Sequence, residues 1–319
     1  MQLSNTDNAS KDFVATHPLD PQDAATVTAM RASAGSAKGK LRGIEARVPF
    51  NALMESVLPR QDVTLEAGTV GGIPGFWVHP WERRADEAIL HLHGGWFNFG
   101  SAKAYRHLVG HIAARAGAKA FIPDYRLAPE HRFPAAVDDV LATYRGLEEK
   151  GIRRIAVTGD SAGGNLALGL ASRLTGEAVS AELVGVAAIS PVTDLTLSGV
   201  TYEARADAEP YFTRPQVAEL VGHYLGTADP KHPLASPLYA RLSGLPPVRI
   251  HVGDDEVLLD DSRRYVERAV AAGVDARLDV WLGMAHGFPS GIGALQASAQ
   301  ALDAIGRFLT EKLQGGAWA

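Results

Sequence analysis

The sequence predicts an α/β fold, a mainly parallel sheet with helices on both faces. Two observations carry that expectation. From about residue 62 onward, short β-branched or apolar runs alternate with longer stretches of helical periodicity. Such alternation is the signature of parallel strands joined by crossover helices. One of these strands also runs through a glycine-flanked serine straight into a helix, a turn that α/β folds use to present a functional group.

Taken in order, residues 62–67 and 75–79 lie close in sequence and read as an antiparallel hairpin at the sheet edge. Residues 88–92, 119–123, 155–158, 183–189, 248–252 and 276–281 read as the other strands. Between them, 104–116, 135–149, 161–174 and 260–272 read as helices, and 294–313 as the last helix. Two segments stand outside this rhythm. Residues 1–58 carry helical patterns and no strand, with Phe50, Leu53, Met54, Val57 and Leu58 on one helical face. Residues 196–232 form the second. There Thr213 and Pro215 are helix-start signals, Val217, Leu220, Val221 and Tyr224 make an apolar stripe, and Gly226 is the stop. Taken alone, the two segments read equally as a cap over one end of the core or as ordinary peripheral helices.

Composition narrows the function. With 319 residues, 46% hydrophobic and 21% charged, the chain can bury a sizeable core. Lys and Arg total 31 against 36 Asp and Glu, a formal net charge of −5, and no basic run is present. Nucleic-acid binding needs a clustered cationic surface, so it is not expected. Cysteine is absent, which excludes disulfides, thiolate metal sites and a catalytic thiol. Met1 to Ser10 are polar, without a signal-peptide pattern, and no apolar run is long enough to span a bilayer. A soluble cytoplasmic protein is the expectation.

The chemistry starts at Gly159-Asp160-Ser161-Ala162-Gly163-Gly164, between strand 155–158 and the following helix. A serine in so tight a turn takes a strained backbone, and small neighbours avoid the clashes. The reward is a hydroxyl held at a helix N-terminus, where a developing anion is favoured. Strand 88–92 ends in His93-Gly94-Gly95-Trp96. The N–H groups of Gly94, Gly95 and Ala162 are the candidate oxyanion hole. His286 follows strand 276–281 in a glycine-flanked loop, so the order serine, acid, histidine is available, with His286 as base. The acid is expected after strand 248–252, where Asp254, Asp255, Glu256, Asp260 and Asp261 crowd one loop. A calcium loop there lacks a recognised ligand spacing. His91 and His93 share one side of a strand without a third ligand, so structural histidines and no metal are expected. Trp96, Asp160, Tyr211 and Phe212 are the candidate pocket residues.

Together HLHGGWFNFGS (91–101), DYRLAPEHRFPAAVDD (124–139), GDSAGGNLA (159–167), SPLYARLSGLPP (236–247) and GMAHGF (283–288) resemble the hormone-sensitive-lipase-like family, the bacterial family IV esterases. The resemblance covers nearly the whole chain. It implies the α/β-hydrolase fold with an eight-stranded core at 59–195 and 233–319 and a helical cap from 1–58 and 196–232. It implies a serine carboxylesterase acting on short- to medium-chain acyl esters through an acyl-enzyme, without cofactor. It also implies a homodimer through the edge strand at 276–281. A lactonase, deacetylase or amidase would share the same triad, and a non-catalytic receptor on this fold would be expected to lose the histidine. Two departures stand out. Trp96 replaces a usual third glycine. By register to Asp260 and His286, the triad acid is Glu256 where the family usually has Asp, with Asp255 and Asp260 as alternatives. Asp124, Arg126 and Glu130 are expected to form a buried polar network.

Overall fold

In the computed structural model, residues 13–315 are described. The polar stretch Met1 to Ser10 lies outside them. One nine-stranded sheet runs through the molecule. The strands are β1 (Val14–His17), β2 (Val63–Val70), β3 (Ile73–Pro80), β4 (Glu87–Leu92), β5 (Lys119–Pro123), β6 (Arg154–Asp160), β7 (Glu182–Ile189), β8 (Val248–Gly253) and β9 (Ala276–Trp281). Their order is β1-β9-β8-β7-β6-β4-β5-β3-β2, parallel except for the β2–β3 hairpin and its junction with β5.

Both faces are covered, and successive strand residues serve opposite layers. Leu90 and Leu92 of β4 pack into one core with residues of α4 (Ala135–Glu149), α5 (Ala162–Leu174) and α8 (Leu259–Ala271). Ile89 between them joins the other, with residues of α3 (Ala102–Ala116) and α9 (Gln296–Leu313). This is why apolar residues follow one another at Ala88-Ile89-Leu90 of β4 rather than alternating with polar ones.

The family resemblance implies eight strands, and the ninth is β1. It pairs in parallel with β9, Val14 opposite Leu278 and His17 opposite Trp281. Its own side chains are mostly exposed, so no apolar periodicity announces it. Backbone pairing holds it instead, with His17 stacked on Trp281 at 3.9 Å and its Nε2 2.7 Å from Asp279 Oδ1. The expectation that residues 1–58 hold no strand is therefore corrected. Ala276–Trp281 is not the sheet edge, because the chain's own β1 covers it.

The other N-terminal elements are α1 (Ala24–Gly35) and α2 (Arg47–Glu55). On the expected α2 face Met54 and Val57 are buried, whereas Leu53 and Leu58 are 62% and 53% exposed. The mid-chain segment holds α6 (Thr201–Ala204) and α7 (Arg214–Leu225). Thr213 and Gln216 form a reciprocal capping box, the predicted stripe is buried and Gly226 ends the helix at φ 60°. The two segments meet. Gly39 N donates to Tyr211 O (2.9 Å), Gln216 Nε2 to Leu41 O (2.8 Å), and Arg42 pairs with Glu219.

Asp124, Arg126 and Glu130 do not form one buried network. Half-buried Asp124 accepts from Ala102 N at the start of α3 (2.6 Å). Arg126 forks onto Asp139 of α4, and exposed Glu130 pairs with Arg47 of α2. Each charge has its own partner on a different element, so three separate tethers fix the loop. The Arg47 guanidinium holds the Glu130 carboxyl down at about 2.

Candidate active site

Ser161 sits between β6 and α5 with φ 54° and ψ −117°, a left-handed conformation that a non-glycine residue adopts only under constraint. The glycines around it answer to close packing. A Cβ on Gly163 would lie 1.9 Å from Leu92 O, and one on Gly159 would lie 2.3 Å from Gly163 O. The Ser161 hydroxyl is buried and bonds to no protein group among the described residues. Gly94 and Gly95 follow β4, the neighbour of β6, so they lie at the same end of the sheet as Ser161 and Ala162, the first residue of α5. Gly95 takes φ 116°, and a Cβ there would meet Phe99 O at 2.4 Å.

His286 lies in the loop after β9, with Nδ1 2.9 Å from Glu256 Oε2. Glu256 is fully buried in the loop after β8. Its other oxygen accepts from Ser190 Oγ (2.7 Å) and Gly253 N (2.6 Å). The remaining acids of that loop are engaged elsewhere. Asp254 accepts from Gly283 N (2.6 Å) and Asp255 pairs with Arg31 of α1. Asp260 accepts from Val200 N (3.2 Å), and buried Asp261 from Thr193 N (2.8 Å) and Asp194 N (3.0 Å). Of the three acids read from the sequence, Glu256 is the one within hydrogen-bond reach of His286.

Electrostatics follow the geometry. Burial opposes a charge on His286, but Glu256, then Glu209 and Asp160, outweigh it and raise the imidazole above its ordinary value. Burial pushes Asp160 up to about 6, against the Tyr105 hydroxyl, the His286 charge and the Gly94 N–H. Tyr105 donates to Asp160 at 2.9 Å. His91 donates to or accepts from Thr158 Oγ1 (2.9 Å), and His93 Nδ1 lies 2.8 Å from Gly94 O. Burial lowers these two imidazoles to about 3 and about 4, so both are neutral braces for the loops.

Ser161 and His286 open on one cavity of about 540 Å³, with Gly95, Trp96, Asp160, Tyr211 and Phe212 also in its wall. All four predicted pocket residues are thus present there. Trp96 is only 2% exposed and sits at φ 52°. Its indole meets Phe212 edge-on at 5.4 Å, and Phe212 meets the His286 ring edge-on at 5.0 Å. Sequence reasoning missed Ser190, Glu209 and the 287–294 segment. Ser190 and Glu209 are polar residues buried by distant packing, without a local motif. The α2 and 287–294 segments supply further cavity wall, notably Phe50, Met54 and Ile292.

The pattern of a family described as the alpha/beta hydrolase fold matches residues 89–290. An acetyl-hydrolase of Streptomyces hygroscopicus is 37% identical over 76% of this chain and 81% of its own length. An esterase of Acinetobacter venetianus is 36% identical over 71% of this chain and 75% of its own. Among solved structures, an esterase from the bacterial hormone-sensitive lipase family superposes with a TM-score of 0.85 at 36% identity, covering 92% of this chain and 99% of that one. With this site on this sheet and these relatives, the chain belongs to the α/β-hydrolase-fold family, in its bacterial hormone-sensitive-lipase branch.

Proposed function

We propose that this carboxylic ester hydrolase uses Ser161 as nucleophile, His286 as base and Glu256 as the acid that orients it, on short- to medium-chain acyl esters. The observation that carries this reading is the His286–Glu256 pair at 2.9 Å, with His286 lining the same cavity as Ser161. Glu256 accepts a hydrogen bond from Nδ1–H, which holds the tautomer whose unprotonated Nε2 takes the proton from Ser161 Oγ. The oxygen then adds to the ester carbonyl, and the oxyanion is held by N–H groups of Gly94, Gly95 and Ala162. Collapse of the adduct breaks the ester C–O bond as His286 returns the proton to the alcohol. Water, deprotonated by the same imidazole, releases the acid from the acyl-enzyme.

Two further assignments belong to this reading. Residues 18–58 and 196–232 act as a cap, since Leu41, Phe50 and Met54 from one and Tyr211 and Phe212 from the other border the cavity. The largely apolar wall suits an acyl chain rather than a charged acid. The test is a p-nitrophenyl butyrate assay with rapid mixing, followed by mass spectrometry of the quenched enzyme. Burst release of nitrophenol with butyryl mass on Ser161 is expected. A steady-state hydrolysis without adduct on Ser161 would overturn the mechanism.

A further inference from the structure

Buried in the mid-chain segment is a carboxylate that the proposed mechanism leaves unused. Glu209 is fully buried and forms no salt bridge with lysine or arginine among the described residues; Arg205, four residues earlier, pairs instead with Asp254 at 3.7 Å. A buried carboxylate without a cationic partner costs free energy, so its retention calls for a function. Its two oxygens span two walls of the active site. Oε1 accepts from Tyr211 N at 2.8 Å, next to Phe212, whose ring lies against His286. Oε2 accepts from Val257 N at 3.3 Å, the residue after Glu256.

We propose that Glu209 is a positioning residue for ester hydrolysis: it fastens the Tyr211–Phe212 wall to the Glu256 loop and supplies a second negative charge that stabilises protonated His286. The proposal rests on His286 being the base. Three anions act on the imidazole, Glu256 from the loop after β8, Glu209 from the segment before α7 and Asp160 from the end of β6, while the cationic Arg31 of α1, held by Asp255, lines a hollow with His286. Burial, partly offset by His286, pushes the Glu209 carboxyl up to about 7, so its charge is present above neutral pH and fades below it. During each turnover His286 becomes cationic twice, once per proton relay. Where Glu209 is ionised, its charge lowers the energy of both cationic states without touching the substrate.

The test compares wild type, Glu209→Gln and Glu209→Asp over pH 5–9 with p-nitrophenyl butyrate. Glu209→Gln keeps one acceptor, for Tyr211 N, and loses both the charge and the acceptor for Val257 N, a loss that Glu209→Asp controls for. Its imidazolium is then less favoured, so the acid limb of kcat/KM should move to lower pH by about half a unit to one unit. At the plateau kcat should fall about tenfold with KM little changed. Glu209→Asp should restore the limb position, because the charge returns. A merely structural role predicts instead a lower Tm in Glu209→Gln with the limb unmoved, and that result overturns the proposal. Should Glu209→Gln not fold, the wild-type enzyme still decides: the His286 ring-nitrogen NMR titration should show a second inflexion from Glu209 near neutral pH, and a single inflexion overturns the proposal. His286→Asn separates the two ideas. If it remains active, the base assignment fails; if it is inactive while Glu209→Gln leaves the limb unmoved, only the role of Glu209 fails.

Discussion

His286 Nδ1 and Glu256 Oε2 are 2.9 Å apart, and the same carboxylate is pinned from behind by Ser190 Oγ at 2.7 Å and Gly253 N at 2.6 Å. The orientation of the imidazole is thus set by three donors converging on one buried side chain. A glutamate spans this gap because its extra methylene is accommodated inside the fold, where Glu256 has no solvent exposure.

Glu256→Gln should lower kcat by about a hundredfold to ten-thousandfold, because the amide favours the wrong imidazole tautomer. Ser190→Ala, which removes one charge-assisted bond to the carboxylate, should cost about tenfold. Asp255→Asn should affect the attachment of α1 through Arg31 and leave the rate close to wild type. Steady-state kinetics with thermal melts on all three variants check this ranking. A fully active Glu256→Gln enzyme would move the acid elsewhere.

Ser161→Ala and His286→Ala should each reduce kcat by about a thousandfold or more, and the double variant should lose little beyond either, since the two act as one unit. Ser161→Ala should melt like wild type, since its hydroxyl has no protein partner to lose among the described residues, whereas His286→Ala and the double variant give up the Glu256 bond and the Phe212 ring contact and should melt lower. Additive losses, or substantial activity in Ser161→Ala, would contradict the mechanism.

These residues were legible in the sequence for a physical reason. Ser161, Gly94 and Gly95 sit where backbone crowding dictates local residue choice, so a short motif carries the geometry. His286 and the acid-rich loop follow from the order of strands, because loops at the same end of a parallel sheet converge; the choice of Glu256 within that loop comes from register to the resembled family. What escaped depends on contacts between distant segments. β1 is four mostly exposed residues held by backbone bonds, and no side-chain pattern marks it. Glu209 is buried by the fold around it. The Asp124–Glu130 stretch reads as one network, yet each member takes a partner tens of residues away or on another element, such as Arg47 for Glu130.

The activity should depend on pH in a defined direction. His286 must be neutral to accept the Ser161 proton, and its pKa is raised above the ordinary value. Activity should therefore be full above that raised pKa and fall as pH drops through it. Asp160→Asn removes one of the three anions that favour the imidazolium, so its acid limb should lie at lower pH than in wild type. A limb displaced to higher pH, or no acid limb at all in kcat/KM, would contradict the assignment.

Trp96 is both buried and part of the cavity wall, so Trp96→Gly has two expected effects. Losing the indole from its contact with Phe212 should cost about 3–5 kcal/mol as for other buried tryptophans. Relief of the left-handed backbone at φ 52° returns about 1–2 kcal/mol. The lost packing outweighs the relieved backbone, and Tm should fall. The vacated space lies beside Gly95, so hexanoate and branched-acyl esters should gain relative to acetate. A chain-length profile with a melt on the same samples checks both; an unchanged profile would remove Trp96 from the determinants of acyl size.

The β1–β9 pairing bears on assembly. Resemblance to the family points to a dimer built on the strand Ala276–Trp281, but here the chain's own Val14–His17 occupies that edge. An uncovered edge strand offers unpaired N–H and C=O groups to any second strand. Deleting residues 1–18 should therefore expose β9 and shift the protein toward larger species at micromolar concentration, with a lower Tm. α1 should stay in place, since Asp23 caps α9 through Gln296 N (2.7 Å) and Ala297 N (2.9 Å), and Arg31 holds Asp255. Ala15→Pro tests the same point within the full-length chain, because proline brings no N–H to the ladder. Sedimentation velocity with activity assays on both variants decides. Self-association with the active site still working would identify β1 as a cover for the edge. An unchanged sedimentation coefficient and an unchanged melt would show that the β9 edge needs no cover.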